Sequence, residues 1–202
     1  MNINQRKQLI KYLTGDYITA NVVWLLVNIS RYDYIASSLG FDSLSSYLLS
    51  GKVLVGQIIG PLFWMILYYF SGFYNNPMKK SRLDELKTTL ISVESGVIVI
   101  FLVLVIDDLP KDYHIYYRIL AVLFFGQFFF TYIIRALITR KLAKNIHSRK
   151  IGFSTLIIGA GERTVQLANE LNTQPQSLGY IIKGIICLTD KIPKTKGIPV
   201  GT

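Results

Sequence analysis

The sequence has few of the side chains that carry metal or redox chemistry. Its single cysteine, Cys187, excludes an intrachain disulfide and lies in an apolar run that predicts a β-strand, so we interpret it as a small buried hydrophobe. The two histidines, His114 and His147, lie far apart and have no cysteine or carboxylate at ligand spacing. We therefore predict no metal site.

Acidic residues are also scarce. Twelve Asp and Glu stand against 22 Lys and Arg, which gives a net charge of +10. A nucleic-acid-binding surface would repeat its basic residues along one face with aromatic side chains between them. Here the basic residues flank apolar runs, and Tyr and Phe lie inside those runs. We therefore predict no nucleic-acid partner.

Long apolar runs fill the first two thirds of the chain, which is 51% hydrophobic overall. A helix needs about 20 mostly apolar residues to cross about 30 Å of hydrocarbon, and four runs approach that length. Buried helices of a soluble protein are the alternative, but residues 97–106 are apolar on every face. We predict membrane-spanning helices at Leu13–Ile29, Val53–Phe73, Leu90–Ile106 and Tyr116–Ile134, with no cleavable signal peptide before them.

The connecting segments alternate between many and few basic residues. Lys and Arg near a helix end resist translocation, so the basic segments are predicted to be cytoplasmic. This places both termini in the cytoplasm and explains most of the positive charge as membrane topology, with the lipid bilayer as partner. The residues that mark the cytoplasmic segments are Arg6, Lys7, Lys11, Lys79, Lys80, Arg82, Lys87, Arg135, Arg140, Lys141, Lys144, Arg149 and Lys150.

Two acidic residues lie inside predicted spans near the cytoplasmic side. We expect Asp16 to pair with Lys11 or Arg6 at the headgroup level, and Glu94 to pair with Arg135. Such pairs form no relay through the bilayer centre. A transporter or a channel is therefore not predicted.

The last fifty residues have the composition of soluble α/β sequence. Residues 155–158 predict a strand, residues 162–172 a helix and residues 180–188 a second strand, in the order of a parallel βαβ unit. We predict a membrane all-α four-helix transmembrane bundle (1–134), a basic amphipathic juxtamembrane helix or linker (135–152) and a partial α/β Rossmann-like βαβ unit (153–202).

The turn after the first predicted strand is the candidate cofactor site. Gly159, Gly161 and Thr164 occupy the three positions of the dinucleotide-binding glycine fingerprint, but the third position is Thr164 rather than glycine. We expect its side chain to push the helix away from the strand. No acidic residue follows about 20 positions later to bind a ribose. Nucleotide binding and a purely structural turn both stay open, and the cofactor is unknown.

Two parallel strands with one helix leave a strand edge and an apolar face uncovered. Either the sequence is cut short or another chain covers that face. A homo-oligomer is one possible state.

The whole chain resembles the N-terminal half of large bacterial polyprenyl-phosphate sugar-1-phosphate transferases. Membrane-bound nucleotide-sugar dehydratases share this front end. The motifs that carry the resemblance are Ser71-Gly72-Phe73-Tyr74, Ser81-Arg82-Leu83-Asp84-Glu85-Leu86, Asp107-Asp108 with Tyr116-Tyr117, residues 151–161, and Gly197-Ile198-Pro199-Val200-Gly201.

The resemblance implies a multi-pass protein of the bacterial inner membrane with a nucleotide- or CoA-binding-like Rossmann module. It implies that such enzymes start exopolysaccharide assembly by moving sugar-1-phosphate from a nucleotide-sugar to polyprenyl phosphate. In that family an Asp-Glu pair in a C-terminal domain does the chemistry, and no catalytic residue matches here. Asp84 and Glu85 point to different faces of a predicted helix, and we interpret them as part of a solvated turn. The alternatives are a nucleotide-sugar dehydratase and a non-enzymatic scaffold of a polysaccharide machine.

Overall fold

The computed structural model describes residues 3–107, 114–159, 162–187 and 200–201. The chain divides into two compact units, Met1–Thr139 and Arg140–Thr202. Helices dominate the first unit, and a small parallel sheet with one helix makes up most of the second. The elements in chain order are α1 (Ile3–Leu39), α2 (Leu44–Leu48), α3 (Gly51–Phe70), α4 (Arg82–Asp107), α5 (His114–His147), β1 (Phe153–Gly159), α6 (Glu162–Thr173), β2 (Tyr180–Cys187) and β3 (Val200–Gly201).

Three of the helices are long and apolar enough to cross a membrane. They are α3 over Gly51–Phe70, α4 over Arg82–Val103 and α5 over Tyr117–His147. The helices predicted from the second, third and fourth apolar runs are therefore confirmed. The first predicted span lies within α1, which does not reach the same length of apolar sequence, so that span stays a prediction. Residues 135–147, predicted as a juxtamembrane helix, continue α5 without a break.

One apolar core joins side chains from α1, α3, α4 and α5. Glycines let these helices approach closely. A Cβ on Gly15 of α1 would lie 2.9 Å from Ile134 of α5, and a Cβ on Gly60 of α3 would lie 2.8 Å from Trp24 of α1. The buried members of the core are Tyr12, Ala20, Val23, Val27, Trp64, Tyr68, Phe73, Val93, Ile119 and Leu123.

Polar side chains lie inside the first unit, whereas many large apolar side chains face outward. Between 22% and 28% of the residues in the most apolar stretch of each candidate span are buried within the protein. Such a distribution would leave a large apolar surface in contact with water, but it suits a surface in contact with hydrocarbon. The buried polar residues of the four long helices are Gln8, Asp16, Thr19, Asn28, Glu85, Thr89, Ser92, Gln127, Thr131, Arg135 and Thr139.

The sheet of the second unit is parallel, with strand order β1-β2-β3. β1 pairs with β2 from Phe153↔Tyr180 to Gly159↔Cys187, with a bulge after Thr155, and β2 pairs with β3 at Ile185↔Val200. The predicted parallel pairing of the first two strands is confirmed. The short strand β3 was not predicted.

Helix α6 covers one face of this sheet. Ala168 of α6 packs with Ile185, and Ile157 and Ile182 surround them. At the start of the unit, Arg149 donates from Nη2 to the carbonyl oxygen of Gln174, at 3.0 Å, and to that of Asn172.

The opposite face of the sheet is open among the residues that the structure describes. On β1 the burial alternates, and Leu156 and Ile158 on the open side are 59% and 65% exposed. The predicted uncovered apolar face is therefore present in the second unit.

Candidate functional site

The candidate cofactor turn joins the end of β1 to the start of α6. Gly159 is the last residue of β1, and Thr164 lies in the first turn of α6 and is buried. Gly161 lies outside the described residues. Two of the three predicted positions are therefore placed side by side at the carboxyl end of a parallel strand, where open α/β sheets bind ligands.

Thr164 packs directly against Gly159. A Cβ on Gly159 would lie 2.5 Å from Thr164 Oγ1, so only glycine leaves room for the threonine side chain. Gly159 thus makes room for the Thr164 side chain, and the expected displacement of the helix from the strand stays a prediction. Thr164 stands at the position where the fingerprint has its third glycine. Its packing against residue 159 is enough to explain why that residue is glycine, without a bound nucleotide. Whether the turn binds a nucleotide stays a prediction.

A buried ion pair lies in the first unit and links α1 to α5. Arg135 donates from Nε to Asp16 Oδ1 at 2.9 Å and from Nη2 to Asp16 Oδ2 at 2.7 Å. The two side chains are 0% and 1% exposed. Arg135 also donates from Nη1 to the hydroxyl of Thr89 on α4 at 2.8 Å, so this guanidinium joins three helices.

The predicted pairing of both acidic residues was wrong. Lys11 and Arg6 are exposed on α1, whereas Asp16 faces α5 and is buried. Glu94 is exposed on α4, while Arg135 pairs with Asp16 and Thr89. Burial decides the outcome, because a buried carboxylate needs a partner that is desolvated with it, and the planar guanidinium offers two parallel donors.

The segment after α3 folds back over this ion pair. Tyr74 donates its hydroxyl to Asp16 Oδ2 at 2.9 Å. The centroid of the Phe73 ring lies 3.5 Å from the Arg135 guanidinium carbon and 4.1 Å from Lys80 Nζ, so the ring contacts two cations. Lys80 also donates to the carbonyl oxygen of Phe73. Cation–π contacts of this kind strengthen when they are desolvated.

These surroundings change the acidity of two groups in the segment. Burial, together with the nearby Asp16 carboxylate, raises the pKa of Tyr74 above its ordinary value. Burial and the positive charge of Arg135 lower the pKa of Lys80. The Tyr74 hydrogen bond to Asp16 and the contact of the Phe73 ring with Arg135 therefore hold the segment against the ion pair, whereas Lys80 and Arg135 repel each other.

A second buried carboxyl group belongs to Glu85 in the first turn of α4. Thr139 of α5 donates to Glu85 Oε1, and the Tyr12 hydroxyl of α1 approaches the same oxygen at 3.4 Å. Asp84 beside it is exposed, so the two do point to different faces as predicted. The interpretation as a solvated turn was wrong for Glu85, because it is 1% exposed and holds α1, α4 and α5 together.

A signal for this network is present in the sequence as polar residues four apart. Residues at that spacing share one face of a helix. In α5 these polar residues begin at Gln127, which donates to the Tyr68 hydroxyl at 2.9 Å. The stripes are Gln8, Tyr12 and Asp16 in α1, Glu85 and Thr89 in α4, and Gln127, Thr131, Arg135 and Thr139 in α5.

The chemistry that these groups offer is structural. Asp16 and Arg135 neutralise each other, and Glu85 accepts hydrogen bonds from hydroxyl groups. Among the described residues, no group of three His, Cys, Asp or Glu could hold a metal ion. The hydrogen bonds of Arg135 and Glu85 join α1, α4 and α5, and we assign them to helix packing.

No family model matches the chain, and no curated protein matches it.

Proposed function

We propose that this chain is the membrane anchor and regulatory part of a sugar transferase that starts extracellular polysaccharide synthesis. The enzyme would move sugar-1-phosphate from a nucleotide-sugar to polyprenyl phosphate. One observation carries the proposal: α5, an apolar helix long enough to cross a membrane, leads directly into a parallel β1–α6–β2 unit. The sequence motifs resemble those of that family, and the family has the same order, with membrane helices first and an α/β module after them.

We propose four spans, with α1 as the first, and both termini in the cytoplasm of a bacterial cell. α1 is less apolar than the other long helices, and within its predicted span it carries Asp16, Thr19 and Asn28. All three are buried in the protein, so they would not meet lipid. The distribution of basic residues supports the orientation.

The proposed role follows from where such an anchor would hold a catalytic domain. Polyprenyl phosphate carries its phosphate at the membrane surface, whereas a nucleotide-sugar is dissolved in the cytosol. A catalytic domain held at the inner surface by α5 would meet both substrates. The open face around Leu156 and Ile158 supports a partner domain, because uncovered apolar sheet faces are costly in water.

A domain exchange tests this role. The chain is fused through Thr202 to the catalytic domain of a sugar-1-phosphate transferase that lacks its own N-terminal half. Membranes are then supplied with radiolabelled nucleotide-sugar and polyprenyl phosphate. The control carries the same catalytic domain on an unrelated four-span anchor. We expect more lipid-linked product from the fusion than from the control, and no product from the chain alone.

Three results would contradict the proposal. Equal product from both fusions would show that the chain only attaches the catalytic domain to the membrane, as expected for a scaffold. Transfer by the chain alone would place an active site within it. Conversion of the nucleotide-sugar without transfer to lipid would favour the nucleotide-sugar dehydratase.

A further inference from the structure

Exposed basic side chains are concentrated where α1 and α4 begin. They lie within the first three turns of α1 and the first two turns of α4. Within residues 3–11 and 82–87, which the structure describes, Asp84 is the one exposed acidic residue, because Glu85 is buried. This part of the surface is therefore strongly positive. The basic residues, which we call the basic band, are Arg6, Lys7, Lys11, Arg82 and Lys87.

A buried contact between the helices sets these residues at one level of the first unit. The Tyr12 hydroxyl of α1 lies 2.7 Å from Thr139 Oγ1 and 3.4 Å from Glu85 Oε1 of α4. Lys11 directly precedes Tyr12, and Lys87 follows Glu85 by two residues, so both lie within about 3 Å of this contact along the helix axes. The other three basic residues lie within about 10 Å of it. The basic band is therefore one group of charges.

This level coincides with one edge of the apolar part of α4. The helix is one of the three that could cross a membrane. Beyond Lys87 it continues over residues 88–107, which is about 30 Å of helix and matches the thickness of the hydrocarbon layer. When α4 spans the membrane, the basic band therefore lies among the lipid headgroups.

Exposed apolar side chains continue along α1 from the basic band into the depth of the membrane. Ile18, Val22, Leu25 and Ile29 follow Lys11 at helical spacing, so they share its face, and they are 55%, 40%, 40% and 38% exposed. A phospholipid has the same order of groups, with a charged head followed by hydrocarbon. The face therefore offers cations to a headgroup and apolar contact to an acyl chain.

We propose that the basic band binds the headgroups of anionic phospholipids in the adjoining leaflet. Basic residues near the membrane surface attract anionic lipid, and the attraction adds up over a cluster. A zwitterionic headgroup carries its own positive charge and is attracted less. Lysine meets the lipid phosphate as a point charge, whereas Arg6 and Arg82 each offer parallel donors to its oxygens. The proposal depends neither on the sugar-transferase function nor on which side of the membrane the band faces.

The lipid selectivity of the full chain tests this proposal. The purified chain is placed in phosphatidylcholine bilayers with a trace of spin-labelled phosphatidylglycerol or phosphatidylcholine, and electron spin resonance separates lipid in contact with the protein from bulk lipid. We expect phosphatidylglycerol to bind about twofold to fivefold more strongly than phosphatidylcholine, and this preference to shrink as salt is added. Equal binding of the two lipids would overturn the proposal.

Substitutions assign the preference to particular residues. Lys7→Gln with Lys11→Gln should remove about half of it, and so should Arg82→Gln with Lys87→Gln. Lys7→Arg with Lys11→Arg keeps both charges and should retain the preference. Because all four side chains are exposed, the variants should unfold like the wild type, which separates lost lipid binding from lost folding. An unchanged preference in both glutamine variants would refute the assignment.

A matched control removes the same number of charges elsewhere. Arg163→Gln with Lys183→Gln replaces two exposed basic residues of the α/β unit and should leave the lipid preference unchanged. A loss as large as that in the α1 and α4 variants would contradict the proposal, because net charge alone would then set the preference. An excess of soluble glycerol phosphate should not displace the lipid, since it has no acyl chain. Displacement would show a site for free phosphate instead of a lipid site.

Discussion

Replacing Arg135 with methionine should strongly destabilise the first unit. The change removes both hydrogen bonds to Asp16 and the bond to Thr89, and it leaves the Asp16 carboxylate buried without its cation. Tyr74 alone continues to donate to that carboxylate. Methionine fills much of the volume of the arginine stem, so the loss reflects charge rather than a cavity.

The size of the effect follows from the burial of the pair. Breaking a fully buried ion pair by removing one partner costs about 3 to 5 kcal/mol, whereas replacing both partners with apolar residues of similar volume is often neutral. We therefore expect Arg135→Met to lower the free energy of unfolding by about 3 to 5 kcal/mol. The double variant Asp16→Leu with Arg135→Met should recover most of that loss.

Unfolding in mixed micelles, followed by tryptophan fluorescence, measures these differences. Trp64 is buried in the same core and reports on it. Arg140→Met is the matched control, because Arg140 is exposed on the same helix, and it should change stability by no more than about 0.5 kcal/mol. If Arg135→Met were as stable as this control, or if the double variant were less stable than the single one, the assignment of the ion pair as a helix lock would be refuted.

Three further substitutions probe other contacts. Tyr74→Phe should lower the free energy of unfolding by about 1 kcal/mol near neutral pH. Because the pKa of Tyr74 is raised in the folded state, the wild type should lose stability as the pH rises above 10.0. This loss should be smaller in the variant when the two proteins are melted across that pH range. Gly96→Ala should destabilise by about 1 to 3 kcal/mol in the same unfolding assay through overpacking, whereas Ser95→Ala next to it on the exposed face should be nearly neutral. Gly159→Ala should destabilise the α/β unit, and adding Thr164→Ala should restore it, as measured by amide hydrogen exchange of the sheet; equal exchange in both variants would show that their contact is not decisive.

The helices of the first unit could be predicted because hydrocarbon imposes length and composition on any spanning segment. The contacts between these helices could not be predicted, because an apolar run does not show which face of the helix turns inward. Glu85 and Glu94 illustrate this. Both are glutamates in or near the same predicted helix, yet one is buried and the other exposed. Four-residue spacing with Thr89 indicates the inward face for Glu85, and burial of the hydroxyl groups around it confirms that choice.

The α/β unit could be predicted from local signals at its strands and turn. The run at residues 155–158, the glycine at position 159 and the amphipathic stretch that follows specify strand, turn and helix in order. The strand Val200–Gly201 has only two residues, so no periodicity marks it, and it forms through pairing with β2. The packing of Thr164 against Gly159 depends on how α6 turns back onto β1, so the sequence alone did not predict it.

Thiol labelling in intact cells tests the membrane arrangement most directly. In a Cys187→Ser background, single cysteines at Ser50, Asn75 and Ser148 are exposed to a maleimide that does not cross membranes, and a tag placed before Met1 is probed in parallel. With four spans and both termini in the cytoplasm, we expect labelling from outside at residue 50 only, and labelling of residues 75 and 148 and of the tag only after permeabilisation. Labelling of residues 50 and 75 from the same side, or recovery of the chain without detergent, would contradict this arrangement.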